Sequence, residues 1–267
     1  MDIDLLTKGF ERIGARLRVA PFAVAVRPGA FTIDVGRDGK GEHFLVRTDR
    51  RAPAAMDVIA AEPRDRHLVL MVRDAGGKHK FLCGHDERSW FVAAVPESET
   101  SVRDVFTAKE ALKPERVREA QAVRGLRRDA RELRKTGAYV RQGEWFFVPA
   151  PGLAVDPREV HRREPVARSD GGKPHWCEFL YRTAGEKVYV SPRHPAGLTE
   201  AAYRQLVAAQ PEMRRLRWRV MQRNAVAYAK GRIWHPDHRT IVLRGWHRVE
   251  MNTESRAKAR ENVVFLD

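Results

Sequence analysis

Apolar positions along this chain change period twice. Near the start Leu5, Leu6, Phe10, Ile13 and Leu17 step by three or four residues, which predicts one helix that Pro21 stops. Short apolar runs follow. They predict strands at Phe22 to Val26, Phe31 to Val35, His43 to Arg47, Leu68 to Arg73, His79 to Cys83 and Trp90 to Val95, with hairpin turns at Gly36 to Gly41 and Asp74 to Gly77. Pro96 closes the last of them.

From Val102 to about Thr136 the period becomes helical. Pro114 splits the stretch, because proline is tolerated in a first helical turn but not inside one. Beyond it Val117, Ala120, Val123, Leu126, Ala130 and Leu133 form an apolar stripe, with Arg124, Arg127, Arg128, Arg131, Arg134 and Lys135 on the other faces, and Gly137 as the stop. The remainder returns to strands at Glu144 to Val148, His175 to Tyr181 and Lys187 to Val190. The segment Pro149 to Pro174, rich in Pro, Gly and Arg, is expected to be a long irregular loop. Thr199 caps a further helix that Pro211 restarts, so that Arg215, Arg219 and Arg223 would line up one turn apart as far as Asn224.

The last hairpin carries the clearest pattern. Strict alternation puts Val226, Tyr228, Lys230, Arg232 and Trp234 on one face of the first strand, and Val242, Arg244, Trp246 and Arg248 on one face of the second. The two basic and aromatic faces coincide if the turn around His235-Pro236-Asp237-His238 contributes an odd number of residues. These elements predict an α+β fold of mixed and antiparallel sheets. A β-rich unit would span 1–100, a basic helical connector 101–137, and a unit with a basic helix and a β-hairpin 138–267.

Charge sharpens the picture. The whole formal charge of +15 is carried by two stretches, Ser101 to Gln142 at +6 and Arg204 to Arg248 at +9, and the rest of the chain is neutral. A local excess of this kind marks a surface for a polyanion. Arginines spaced to meet successive phosphates, with Tyr and Trp to stack on bases, suit RNA or single-stranded DNA. The expected interface is Arg124, Arg127, Arg128, Arg131, Arg215, Arg219, Arg223, Tyr228, Lys230, Arg232, Trp234, Arg244, Trp246 and Arg248. An acidic protein partner is the alternative occupant of such a surface.

Catalytic signals are weaker. Two cysteines, Cys83 and Cys177, cannot form a disulfide framework, and with the acidic start Met1-Asp2-Ile3-Asp4 and no apolar run of the roughly 18 to 20 residues a membrane span needs, a cytoplasmic setting is expected. Cys83 near His85 and Asp86 is not a positioned dyad. The glycines at 36, 39 and 41 lead into a strand, not a helix, so they do not make a dinucleotide fingerprint. His235, His238 and His247 are the candidate metal ligands, but without a paired Cys-x-x-Cys, and with His247 on an apolar strand face, no metal or other cofactor is expected. A metal-dependent phosphodiesterase using Asp237, His235, His238 or Glu178 stays open as a second function.

Overall fold

The computed structural model describes residues 2–256 except 25, 27, 28, 75, 169 and 170. Helix α1 (Ile3–Glu11) is capped by the Asp2 carboxylate, which accepts the Leu5 N–H at 3.0 Å. It stops six residues before Leu17, and Leu17 opens strand β1 (Leu17–Pro21) instead. The strand expected at Phe22 to Val26 is therefore displaced toward the N-terminus. Phe22, Ala23 and Val24 lie outside any strand, and residue 25 is outside the described residues.

β1 runs parallel to β3 (Gly41–Thr48), which pairs antiparallel with β2 (Phe31–Asp38). A four-stranded antiparallel meander follows, made of β4 (Ala55–Glu62), β5 (His67–Asp74), β6 (Gly77–Asp86) and β7 (Ser89–Val95). Period-two alternation dictates how it packs. Leu68, Leu70, Val72, Phe81 and Cys83 face one way and bury themselves against Phe31, Ile33, Phe44, Val46 and the Leu6–Phe10 stripe of α1. Val69, Leu82, Ala93 and Val95 face the other way onto α2 (Val105–Ala111), whose capping box joins Asp104 and Thr107.

The connector is less helical than the apolar stripe predicts. After α2 come only α3 (Glu115–Val123) and one tight turn at Ala130–Glu132. Gly125 ends α3 at φ +59°, where its N–H reaches Ala122 O at 2.9 Å and the Leu126 N–H reaches Gln121 O at 3.1 Å. This Schellman closure needs a left-handed residue, which glycine supplies twelve residues before the stop expected at Gly137. Arg124, Arg127, Arg128 and Arg131 therefore do not share a continuous helix.

The second half is built on a six-stranded antiparallel sheet in the order β10-β11-β15-β16-β9-β8. Its strands are β8 (Val140–Gln142), β9 (Trp145–Pro149), β10 (His161–Arg168), β11 (Gly171–Thr183), β15 (Val226–His235) and β16 (His238–Met251). β10 and the start of β11 replace the second half of the expected loop. β10 accommodates Pro165 because it is an edge strand, where one ladder donor is dispensable. The inner face buries Trp145, Phe147, Val166, Cys177, Leu180, Ala229, Ile233 and Leu243. The sheet curls until Val166 of one edge and Trp145 of β9 line the same cleft. On its outer side Phe146 packs with Tyr139 and Val117 of α3.

A smaller sheet, β13-β12-β14, stands beside it with α4 (Glu200–Ala209). Its strands are β12 (Glu186–Ser191), β13 (His194–Thr199) and β14 (Arg219–Arg223). Thr199 caps α4 as its sequence predicts, accepting the Ala202 N–H at 3.2 Å. Pro211 restarts no helix. It opens a short 3-10 turn, and the chain then extends into β14 to pair with β12. The arginines at 215, 219 and 223 do not form a helical stripe: Arg215 ends the turn, and Arg219 and Arg223 lie on the strand. The chain is an α+β protein whose sheets are mostly antiparallel. No described helix is long and apolar enough to cross a membrane.

Candidate nucleic-acid interface and histidine cluster

The register of the last hairpin decides which side chains share its outer face. Tyr228 stands opposite Arg248 and Arg232 opposite Val242. The turn itself holds only Pro236 and Asp237 between the paired His235 and His238, and a register shift between Ile233 and His235 supplies the odd residue. Tyr228, Lys230, Arg232 and Trp234 consequently share a face with Arg244, Trp246 and Arg248, opposite the buried Ala229, Ile233 and Leu243.

β11 extends this face with residues that the sequence pattern hides. A register shift between Cys177 and Phe179 reverses the alternation, so Cys177 points into the core while Phe179 and Tyr181 point out beside Lys230 and Tyr228. Without that bulge Phe179 and Tyr181 would share the face of Cys177, which is why simple alternation misses them. Tyr181 lies 6.1 Å from Tyr228 and 6.5 Å from Trp246, ring centre to ring centre. Arg162 on β10 sits 5.3 Å from the Phe179 ring, and Lys230 sits 5.9 Å from the Trp246 ring. Trp234 pairs with Trp176 at the far end. The rings are half-buried, and Arg162, Lys230, Arg232 and Arg244 are exposed.

Ion pairing separates the cations further. Among the described residues no carboxylate pairs with Arg162, Lys230, Arg232 or Arg244. Arg248 is bound to Glu250 at 2.6 Å, Arg223 to Glu186 at 2.5 Å, Arg128 to Asp104 at 3.5 Å and Arg131 to Glu110 at 3.6 Å. Arg124 lines a cleft of about 410 Å³ with Arg116, Tyr228 and Arg248, so α3 borders the aromatic face. Arg127 lines a separate cleft with Arg128 beside α2. Arg215 and Arg219 belong to the small-sheet region.

At the other end of the hairpin three imidazoles converge. His175 of β11 lies 4.3 Å from His235 and 5.4 Å from His238 between ring centres, and His235 lies 4.7 Å from His238. His247 is elsewhere, opposite Ala229, with Nδ1 against the Gly245 carbonyl at 2.8 Å. The turn is tucked against the protein: Glu87 accepts the Arg239 N–H, and His238 packs on Gly143. Burial and the neighbouring imidazoles push His235 and His238 below the usual histidine range. Burial works to raise the Glu144 carboxyl, but the adjacent His175 outweighs it and holds Glu144 at about 2.

His238 and Glu144 also line a cavity of about 320 Å³ between the meander and the six-stranded sheet, with Lys109, Lys113, Arg141 and Glu254 around it. His67 on its wall is buried beside Phe91. Burial, aided by the Lys109 ammonium, depresses His67 from 6.5 to about 4. The unfolded chain then binds a proton that the folded chain refuses. Stability is expected to fall as pH drops from 6.5 towards 4, by about 2 to 3 kcal/mol. Urea midpoints compared at neutral and acid pH should show a shallower loss in His67→Phe. An identical pH dependence in both proteins would clear His67 of this role.

Both thiols are free and buried, and burial raises both, Cys177 to about 12, so neither is an activated nucleophile. Glu178 accepts the Arg232 N–H at 2.8 Å and Asp237 is held by Lys173 at 2.9 Å. No protein-family model, curated protein or solved structure matches this chain.

Proposed function

We propose that the outer face of β10, β11, β15 and β16 binds single-stranded nucleic acid, RNA or DNA. The observation that carries this reading is the interleaving, on one sheet face, of Phe179, Tyr181, Tyr228 and Trp246 with four cations that no carboxylate among the described residues pairs with. Rings of this kind accept stacked bases, and guanidinium and ammonium groups between them meet the phosphates. Rings presented on a sheet face favour splayed single strands over a duplex, whose bases are already stacked. The buried free thiols suit a reducing, cytoplasmic compartment.

Stacking has a measurable signature. Trp246→Ala and Tyr228→Ala are each expected to cost about 1 to 3 kcal/mol of affinity for a short single-stranded RNA. Their urea midpoints should move less than those of a core ring, whose loss costs about 3 to 5 kcal/mol. Fluorescence anisotropy with a labelled oligonucleotide, paired with urea unfolding, reads both quantities. Unchanged affinity in both variants would remove the stacking role, and binding of an acidic protein that survives nuclease would assign the face to a protein partner.

A further inference from the structure

Two of the three clustered imidazoles are held by hydrogen bonds that fix a proton on one ring nitrogen of each. Gln142 is fully buried, and its amide nitrogen donates to the carbonyls of Ile233 at 3.3 Å and Arg239 at 2.7 Å. Its Oε1 must therefore be the acceptor that faces His175 Nδ1 at 2.9 Å, which places a proton on Nδ1 and turns Nε2 to the other side of the ring. His235 repeats the pattern: Nδ1 accepts the Asp237 N–H at 3.1 Å, so Nε2 carries the proton and donates to the Lys173 carbonyl at 3.2 Å. His238 turns Nδ1 toward Glu87 Oε2, 3.7 Å away and longer than a hydrogen bond, and Nε2 toward Gly143. Metal-binding histidines characteristically carry an acceptor on the nitrogen that does not ligate.

The space between them suits a cation. One ring nitrogen from each histidine lies within 4.8 Å of the other two. His175 Nε2 also stands 3.6 Å from Glu144 Oε2, so a carboxylate borders the cluster. Gly143, at φ +57°, lets the backbone pass: a side chain there would put its Cβ 2.7 Å from His238 Nε2 and 3.3 Å from His175 Cε1. We propose that His175, His235 and His238 bind a divalent transition metal, with zinc the first candidate for three imidazoles, and that Glu144 stands beside His175 at the edge of the site. Binding draws the nitrogens in to about 3.4 Å and exchanges the Asp237 N–H contact on His235 for a metal bond. Because His238 and Glu144 also line the 320 Å³ cavity, the metal borders that space. The proposal does not depend on nucleic-acid binding.

Cobalt is the probe, since its visible absorption reports nitrogen ligation directly. The chelator-treated full chain, titrated with Co²⁺, is expected to develop a visible band that saturates at about one equivalent and is displaced by Zn²⁺. His235 is half-exposed, so His235→Ala should keep the fold, verified by near-ultraviolet circular dichroism. It should weaken binding by more than about 100-fold, because losing even an outer partner costs about 10- to 100-fold. Gln142→Ala tests that outer effect. His247→Ala, outside the cluster, should bind as the parent does. No saturable band in the parent, or equal binding by the His235→Ala and His247→Ala proteins, would overturn the site and leave His175 and Glu144 as an ion pair only.

Discussion

Replacing Arg162, Lys230, Arg232 and Arg244 together by alanine is expected to weaken single-stranded RNA binding by about 100- to 1,000-fold near 0.1 M salt. Each cation that neutralises a phosphate releases a condensed counterion, and for single strands the slope of log affinity against log salt is about −0.7 per contact. Losing four contacts should flatten that slope by about 3. The choice of residues follows from pairing. These four face outward and have no carboxylate partner among the described residues, whereas Arg248 and Arg223 are already held by Glu250 and Glu186. An Arg215→Ala/Arg219→Ala/Arg223→Ala protein should lose less than about tenfold, since its residues lie on a turn and a separate small sheet. Anisotropy titrations at several salt concentrations compare the two. Equal slopes for parent and quadruple variant would dismiss this face, and a larger loss in the triple variant would move the interface to β14.

Lys113→Met is expected to cost about 3 to 4 kcal/mol of stability, although the side chain carries no part of the proposed interface. Lys113 is 4 % exposed. Its ammonium is bound by Glu110, donates to the Arg131 carbonyl at 2.8 Å and stands 3.6 Å from Glu132. Taking away one member of a buried ionic group leaves the others desolvated with nothing to offset the cost. Two remaining contacts, Arg131 to Glu110 at 3.6 Å and Lys109 to Glu132 at 3.1 Å, keep the loss toward the lower end of the usual range. Arg128→Ala, an exposed arginine paired with Asp104, should change stability by less than about 1 kcal/mol. Urea unfolding of both variants provides the check: similar midpoints would mean that the buried lysine is not anchoring the connector.

Both effects concern groups whose environment differs from what their neighbours in sequence suggest. The sequence spacing at 215, 219 and 223 shows why. Positions four apart share a face in a helix and also in a strand, so the arginine pattern fits either state. Pairing of β14 with β12 settles it in favour of the strand. In the connector, apolar residues keep their helical step beyond Val123, but a single left-handed glycine at 125 ends the helix.

The hairpin was legible because alternation has a period of two and its core face is apolar except for His247. Ala229, Ile233 and Leu243 are buried as that pattern requires, and Tyr228, Lys230, Arg232, Arg244 and Trp246 turn outward together. The strands at Phe31, His43, Leu68, His79 and Trp90 (though not β4, Ala55–Glu62), the Thr199 cap and the concentration of charge were legible for the same reason: each depends on residues near one another along the chain. Sheet order and bulges decided the rest. Arg162, Phe179 and Tyr181 join the aromatic face only because β10 and β11 lie beside β15 with a bulge after Cys177. His175 meets His235 and His238 across sixty residues of sequence because β11 and β15 are hydrogen-bonded neighbours, while the nearer His247 is carried away along β16. Local periodicity fixes which face a side chain occupies, but strand pairing across long loops fixes which faces meet, and that is set by burial of the whole core.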